Sequence, residues 1–249
     1  MSIEIRDLRK SYGDRTVLSG FSLDVPEGEV VSVIGPSGSG KSTMLKSIIG
    51  LVRPDGGDVW VDGDQVGSLE YEGLVALRRK VGYVFQFAAL FDSMTIGENV
   101  AMGLRRMRRL TPADVAERVR EALERVELDG TEDQFPSELS GGMRKRAGVA
   151  RAIALRPRYL LYDEPTTGLD PVTVTVIDRL ILRMNEELGV TSLVITHDLD
   201  SAYRISDRIA MLHQGRVWAS GTPSEIRESP DPVVRGFVEG KPELWEDAS

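Results

Sequence analysis

The chain of 249 residues contains no cysteine. Disulfides and thiolate metal sites are therefore excluded, and the composition fits a reducing compartment. There is no excess of basic residues. The net charge is −8, which implies no general affinity for nucleic-acid backbones. No run approaches the roughly 20 apolar residues that a membrane-spanning helix needs. Work at a membrane would require another chain to span it. Residues 1–10 alternate as a strand and lack the continuous apolar core of a signal peptide. What is present is ordinary globular material, 41% hydrophobic and 28% charged, enough for one large domain or two subdomains.

The apolar run 30–34 leads into Gly35-Pro36-Ser37-Gly38-Ser39-Gly40-Lys41-Ser42-Thr43. Apolar residues then follow at helical spacing, at Met44, Leu45, Ile48 and Ile49. This is G-x-x-x-x-G-K-[ST] in its strand, loop, helix context. Glycines let backbone N–H groups curl around phosphate oxygens, and the helix start points its positive end at the same anion. Lys41 adds a mobile charge for the outer phosphates, and the Ser42 hydroxyl is placed to ligate Mg2+. The chain is read as binding a nucleoside triphosphate.

Apolar periodicity predicts strands near 3–8, 21–25, 30–34, 59–61, 81–85, 159–162 and 192–196. Two more, at 209–212 and 217–219, flank His213-Gln214-Gly215 as a hairpin. A helix is expected after Thr111 as N-cap with Pro112 in first position, another after Ser140, and a third over 176–188 ending at Gly189. The tail carries Pro223, Pro230, Pro232 and Pro242 and is expected to pack on a surface. Alternating strands and helices make an α/β fold, with antiparallel strands at its N-terminal end. Residues 1–86 and 157–221 form the nucleotide-binding core, 87–156 an inserted helical lobe, and 222–249 the tail.

Two further motifs carry chemistry. Leu160-Leu161-Tyr162-Asp163-Glu164-Pro165 ends a buried strand in carboxylates. Asp163 is suited to hold Mg2+ through water, and Glu164, where the chain leaves the sheet, to polarise an attacking water. Leu139-Ser140-Gly141-Gly142-Met143 is a second anion site at a helix start. One triphosphate does not need two such loops, so Ser140, Gly141 and Gly142 are read as serving a nucleotide held by another copy.

Together these motifs resemble, in order and over nearly the whole chain, the nucleotide-binding subunit of an ABC (ATP-binding cassette) transporter. Residues 35–43 match the Walker A motif, 159–164 the Walker B strand with its catalytic glutamate, and 140–143 the ABC signature. The resemblance implies a P-loop NTPase (RecA-like) core with an antiparallel β subdomain and an inserted helical lobe. It makes Gln86 the Q-loop glutamine, catalytic alongside Glu164 and His197 and a Mg2+ ligand alongside Ser42 and Asp163. Asp170 falls in the D-loop, His197 contacts the γ-phosphate, and Tyr12 stacks on adenine. His213, the only other histidine, keeps a structural reading. The family mechanism is a head-to-tail dimer that sandwiches two ATPs, hydrolyses them and drives a multi-spanning permease.

Met143 stands where most relatives carry Gln. With Arg144-Lys145-Arg146-Ala147 it resembles the phospholipid-transport ATPases of the Mla (maintenance of lipid asymmetry) and Mce-associated group. So do the segment 85–96, Asp170-Pro171-Val172-Thr173, and residues 234–240 at the start of a C-terminal extension. That resemblance implies a lipid-binding substrate protein as a further partner and a peripheral position on the cytoplasmic side of the inner membrane. Importers of amino acids or other small solutes are the alternative. A soluble ABC ATPase is opposed by the single cassette and the lack of a heptad insertion. A non-hydrolysing regulator is opposed by Glu164 and His197. Phe87, Leu90, Phe91, Met94 and Ile96 read either as a groove wall for a partner's helix or as lobe core. Arg105, Arg106, Arg108 and Arg109 read as a headgroup or partner contact or as a solvated helix face.

Overall fold

Ile3 and Ile5 alternate inward in β1 (Ile3–Tyr12), a register shift before Leu8 returns that residue to the core, and β1 pairs antiparallel with β2 (Arg15–Val25). A computed structural model describes residues 2–107, 109–241 and 243 of the chain; Met1, Arg108, Pro242 and residues 244–249 lie outside the described residues. β3 (Val30–Ile34) is buried along its whole length, and α1 (Lys41–Ile48) follows it. β4 (Gly56–Val61) and β5 (Asp64–Gln65) complete a four-stranded antiparallel sheet in the order β2-β1-β4-β5. Then come α2 (Tyr71–Lys80), β6 (Val81–Val84), α3 (Ile96–Leu104), α4 (Pro112–Arg125) and α5 (Gly141–Ile153). β7 (Tyr159–Asp163), α6 (Pro171–Leu188), β8 (Thr191–Thr196), α7 (Leu199–Ile205), β9 (Arg208–His213) and β10 (Arg216–Gly221) follow. The chain then runs through α8 (Pro223–Arg227) and α9 (Pro232–Val238).

The second sheet has six strands in the order β10-β9-β3-β8-β7-β6. All its pairs are parallel except the β9–β10 hairpin. Parallel strands end on the same rim, so the residues leaving β3, β6, β7 and β8 share one edge of the sheet. The register sharpens this: Ile34 pairs with Thr196, Asp163 with Ile195, and Val84 with Tyr162.

Side chains alternate between the two faces with the period of two that a pleated strand imposes. On one face Val31, Val33, Tyr159 and Leu161 join Met44, Leu45 and Ile48 of α1 and Ile5 and Phe21 of the antiparallel sheet. On the other Val30, Leu160, Tyr162 and Val194 join Ala147, Ala150, Ile177 and Ile181 from α5 and α6, and α3 and α4 extend the same core through Val100, Leu104, Val119 and Leu123.

Capping chemistry sets the helix starts. Thr111 and Asp114 form a reciprocal capping box with Pro112 first in α4. Thr95 and Glu98 do the same for α3. Gly189, at φ +61, ends α6. Tail prolines act as helix starters: Pro223 after capping Thr222, and Pro232 after capping Asp231. Ile226, Val233 and Val234 bury against Ile209 and Met211, so the described part of the tail packs on the sheet. α2 is a helix that apolar periodicity does not reveal, because only Leu77 in it is buried.

Candidate nucleotide site

The chain leaves β3 at Gly35, where φ is +149 and a Cβ would stand 2.4 Å from the Leu212 carbonyl oxygen of β9. Gly40 precedes α1 at φ +106, and a Cβ there would lie 2.7 Å from the Val17 carbonyl oxygen. Both positions demand glycine. Ser37 and Gly38 form the exposed tip between them, while Thr43 sits half-buried in the first turn of α1. No side chain caps α1, so its first-turn N–H groups are left for an anion.

Lys41 is buried, and its Nζ donates to the carbonyls of Gly35 at 2.8 Å and Pro36 at 3.0 Å. Glu164 Oε1 is 3.9 Å away. Burial pulls the Lys41 pKa down, and Glu164 and Asp163 offset part of that. Ser42 Oγ donates to Asp163 Oδ1 at 2.9 Å. Tyr83 of β6 donates to the other carboxylate oxygen at 2.8 Å. Burial raises the Tyr83 pKa, so the phenol stays a donor. Tyr83 carries no signal of its own in the sequence, where it reads as one more apolar strand position.

Glu164 is the first residue beyond β7 and holds φ +52, a left-handed conformation that a non-glycine residue adopts only when its surroundings enforce it. Its N–H donates to Ile195 O at 3.0 Å. Its Oε2 accepts from Thr167 Oγ1 at 3.1 Å and lies 2.6 Å from Nδ1 of His197. The carboxylate is nearly buried, whereas His197 is exposed. Gln86 follows β6 on the same rim, and its carbonyl accepts from Nζ of Lys145 on α5. Sequence reasoning missed Lys145, which reads as part of a basic helix face but is buried.

Tyr12 ends β1 with half of its surface exposed, and Lys10 Nζ stands 5.5 Å from its ring centroid. Arg15, across the hairpin, donates to Gly38 O at 3.0 Å and ties this corner to the phosphate loop.

The remaining site residues lie together at the starts of α5 and α6. Ser140 caps α5 by accepting from the Met143 N–H at 3.3 Å. A Cβ on Gly142 would stand 2.6 Å from Thr173 Cγ2, and one on Gly141 3.8 Å from Leu169 Cδ2. Asp170 caps α6 through the N–H groups of Val172 and Thr173, both at 3.0 Å. The Thr173 hydroxyl also binds it and holds its pKa down.

Of the apolar segment after Gln86, Phe87 and Phe91 are exposed, Ile96 is core, and Leu90 packs on the core from its edge. Arg105, Arg106 and Arg109 are exposed beyond the end of α3, in a turn and not on a helix face. For Mg2+ the fit is good. Ser42 and Asp163 supply two hard oxygens, and among the described residues no group of three acidic, His or Cys side chains could hold a metal. A cation here takes its other ligands from phosphate and water, as Mg2+ does.

The family model for ABC transporters matches residues 18–167. The methionine import ATP-binding protein MetN of Caulobacter vibrioides is 46% identical over 239 residues, covering 95% of this chain and 72% of that one. The probable ribonucleotide transport ATP-binding protein mkl of Mycobacterium leprae is 40% identical over 241 residues, covering 97% and 70%. The ATP-binding cassette MJ0796, solved as a dimer in a post-hydrolysis state with ADP and Pi, superposes with a TM-score of 0.81 at 36% identity, covering 89% and 98%. A phosphate loop and a strand-end carboxylate pair on one rim, within a match of this extent, identify the chain as a member of the ABC transporter family, an ATP-hydrolysing ATP-binding subunit.

Proposed function

We propose that this chain works as half of a head-to-tail dimer that closes on two ATPs and drives a multi-spanning membrane permease for phospholipids. The observation that carries the dimer is a second glycine loop at a helix start: Ser140-Gly141-Gly142 packs against Leu169 and Thr173, next to Asp170. In this reading the core, 1–86 and 157–221, binds the nucleotide, and the lobe 87–156 offers its Ser-Gly-Gly loop to the partner copy's nucleotide.

Within the site, residues 35–43 wrap the phosphates, and Lys41 turns from the Gly35 and Pro36 carbonyls to the outer phosphates. Tyr12 stacks on the base, worth about 1–3 kcal/mol. Ser42, Asp163 and Gln86 would hold Mg2+, and Tyr83 donates to the Asp163 carboxylate and so fixes it. When bound, the ion neutralises charge on the β- and γ-phosphates. Glu164 orients the attacking water and accepts its proton. His197 holds that carboxylate and meets the γ-phosphate. The partner's Ser-Gly-Gly loop closes the site, together with the Asp170 that lies next to that loop in the same copy. Catalysis is then positioning plus charge stabilisation. Hydrolysis leaves like-charged products in the interface and opens it.

Ser140→Arg tests the dimer. It is expected to lower steady-state ATPase activity at least about 100-fold and leave ATP affinity of the isolated subunit within about twofold. A mixed dimer with Ser140→Arg in one copy and Lys41→Ala in the other keeps one intact site. Placing both changes in one copy leaves none. Equal residual activity in the two pairings would refute the head-to-tail arrangement.

The lipid assignment is supported by Met143 with residues 144–147, and by the segment 85–96. It brings with it a lipid-binding substrate protein, no nucleic-acid partner, and peripheral placement on the cytoplasmic side of the inner membrane. Among the described residues no helix is long and apolar enough to cross a membrane, in keeping with a separate permease. A second reading, the ATPase of a small-solute importer, is favoured by the 46% identity to a methionine import protein. Purifying the complex from native membranes and identifying its subunits and bound lipid by mass spectrometry separates them. Co-purifying phospholipid and a lipid-binding subunit support the first reading, and a small-solute-binding subunit the second.

A further inference from the structure

The segment after β6 is gripped by one face of α5. Lys145, Gly148 and Arg151 stand three residues apart on that helix and so line one side of it. Lys145 Nζ donates to Gln86 O and, at 3.4 Å, to Glu164 O. The Arg151 guanidinium donates to Ala88 O at 2.7 Å and Ala89 O at 2.6 Å, and lies 5.9 Å from the Phe85 ring centroid. Between them Gly148 lets Ala88 approach, and a Cβ there would come within 3.2 Å of it. At the far end Asn99 of α3 accepts from the Phe91 N–H at 2.7 Å and donates to Phe91 O at 3.1 Å. Every hold on the loop comes from the helical lobe, and Lys145 also ties that lobe to the core at Glu164 O.

The grip is costly to build, which argues that it is used. Burial lowers the pKa of both Lys145 and Arg151. Among the described residues neither has a carboxylate in ion-pair contact, so both cations are spent on carbonyl oxygens. Ala88 and Ala89 are consecutive non-glycine residues at φ +59 and +49. That conformation persists only where neighbours hold it. Arg151 holds both carbonyls. The loop so fixed begins with Gln86 and displays Phe87 and Phe91, which are 81% and 52% exposed.

We propose that Lys145 and Arg151 are positioning residues that lock loop 85–91 to α5, so that Gln86, the exposed Phe87 and Phe91, and the Ser140-Gly141-Gly142 loop at the start of the same helix move as one body. A push on the two phenylalanines is then carried along α5 to the loop that closes on the partner's nucleotide. The catalytic part of this inference rests on the role given to Gln86 above; the lock itself does not.

Arg151→Met in the full chain removes both donors and keeps the apolar stem. Hydrogen exchange at the Ala88 and Ala89 amides, which bond within the loop to Phe85 O and Phe87 O, is expected to rise at least about tenfold, with exchange in β3 and β7 unchanged. ATP affinity is expected to stay within about twofold and kcat to fall about tenfold at near-constant KM. Arg151→Lys, a point donor able to serve one carbonyl, is expected to fall between wild type and Met in both readouts. Unchanged loop exchange in the Met variant, or a rise shared equally by the whole sheet, overturns the lock. Raised loop exchange with unchanged kcat keeps the lock and overturns the role of Gln86.

Discussion

Glu164→Gln is expected to lower steady-state ATP turnover about 100- to 10,000-fold, the range that a general base contributes, and to leave ATP affinity within about twofold. The substitution keeps the shape of a side chain already held by Thr167 and His197. It removes the negative charge and the basic oxygen, so water is neither polarised nor deprotonated. The phosphate loop is untouched, since Lys41 spends its donors on Gly35 and Pro36 and stands 3.9 Å from Glu164. With binding intact and hydrolysis stopped, the ATP-closed dimer accumulates. Size-exclusion chromatography with MgATP, alongside phosphate release, measures both halves of the expectation. Wild-type turnover in this variant would remove Glu164 from the chemistry.

Lys41→Ala has the opposite signature. ATP affinity is expected to fall about 30- to 4,000-fold, because truncating one partner of a desolvated charge pair costs about 2–5 kcal/mol. The ammonium is buried in the loop, so solvent cannot replace it. Two carbonyls, of Gly35 and Pro36, also lose their donor. The loop therefore loosens as well as losing its charge. Calorimetric titration with ATP measures the affinity, and a parallel thermal melt separates the binding loss from unfolding. Lys41→Arg is not expected to rescue binding, since a planar fork does not fit the buried space of a point charge. Affinity within threefold of wild type in Lys41→Ala refutes the assigned role.

Much of the site was legible because its signals are local. Residues 35–43 need particular backbone conformations at particular positions, and glycine at 35 and 40 is forced by left-handed φ and by neighbouring carbonyls. The starts of α4, α5 and α6 follow from side chains that reach N–H groups two or three residues on. The proline-rich tail and α2 show where local reading runs short. The tail packs as expected, but its prolines also start α8 and α9, which that expectation did not include, and a helix with one buried residue has no apolar stripe to detect.

Residue types and spacing alone were enough to single out the loop 35–43, the strand-end carboxylates Asp163 and Glu164, and the Ser140-Gly141-Gly142 loop as candidates. These are properties of a few consecutive residues, set by steric limits on φ and by hydrogen bonds of short span. Strand order decided which of them meet. Glu164 and His197 are 33 residues apart, Tyr83 and Asp163 80, and Ser42 and Asp163 121. They touch because β3, β8, β7 and β6 lie side by side and parallel, with their ends on one rim. Lys145 belongs to the same class. Its neighbours in the chain are exposed or half-buried, and only the packing of α5 under the sheet edge turns it inward to the Gln86 and Glu164 carbonyls. Pairings between distant segments depend on how the core closes around them, and the composition of either segment carries no trace of its partner.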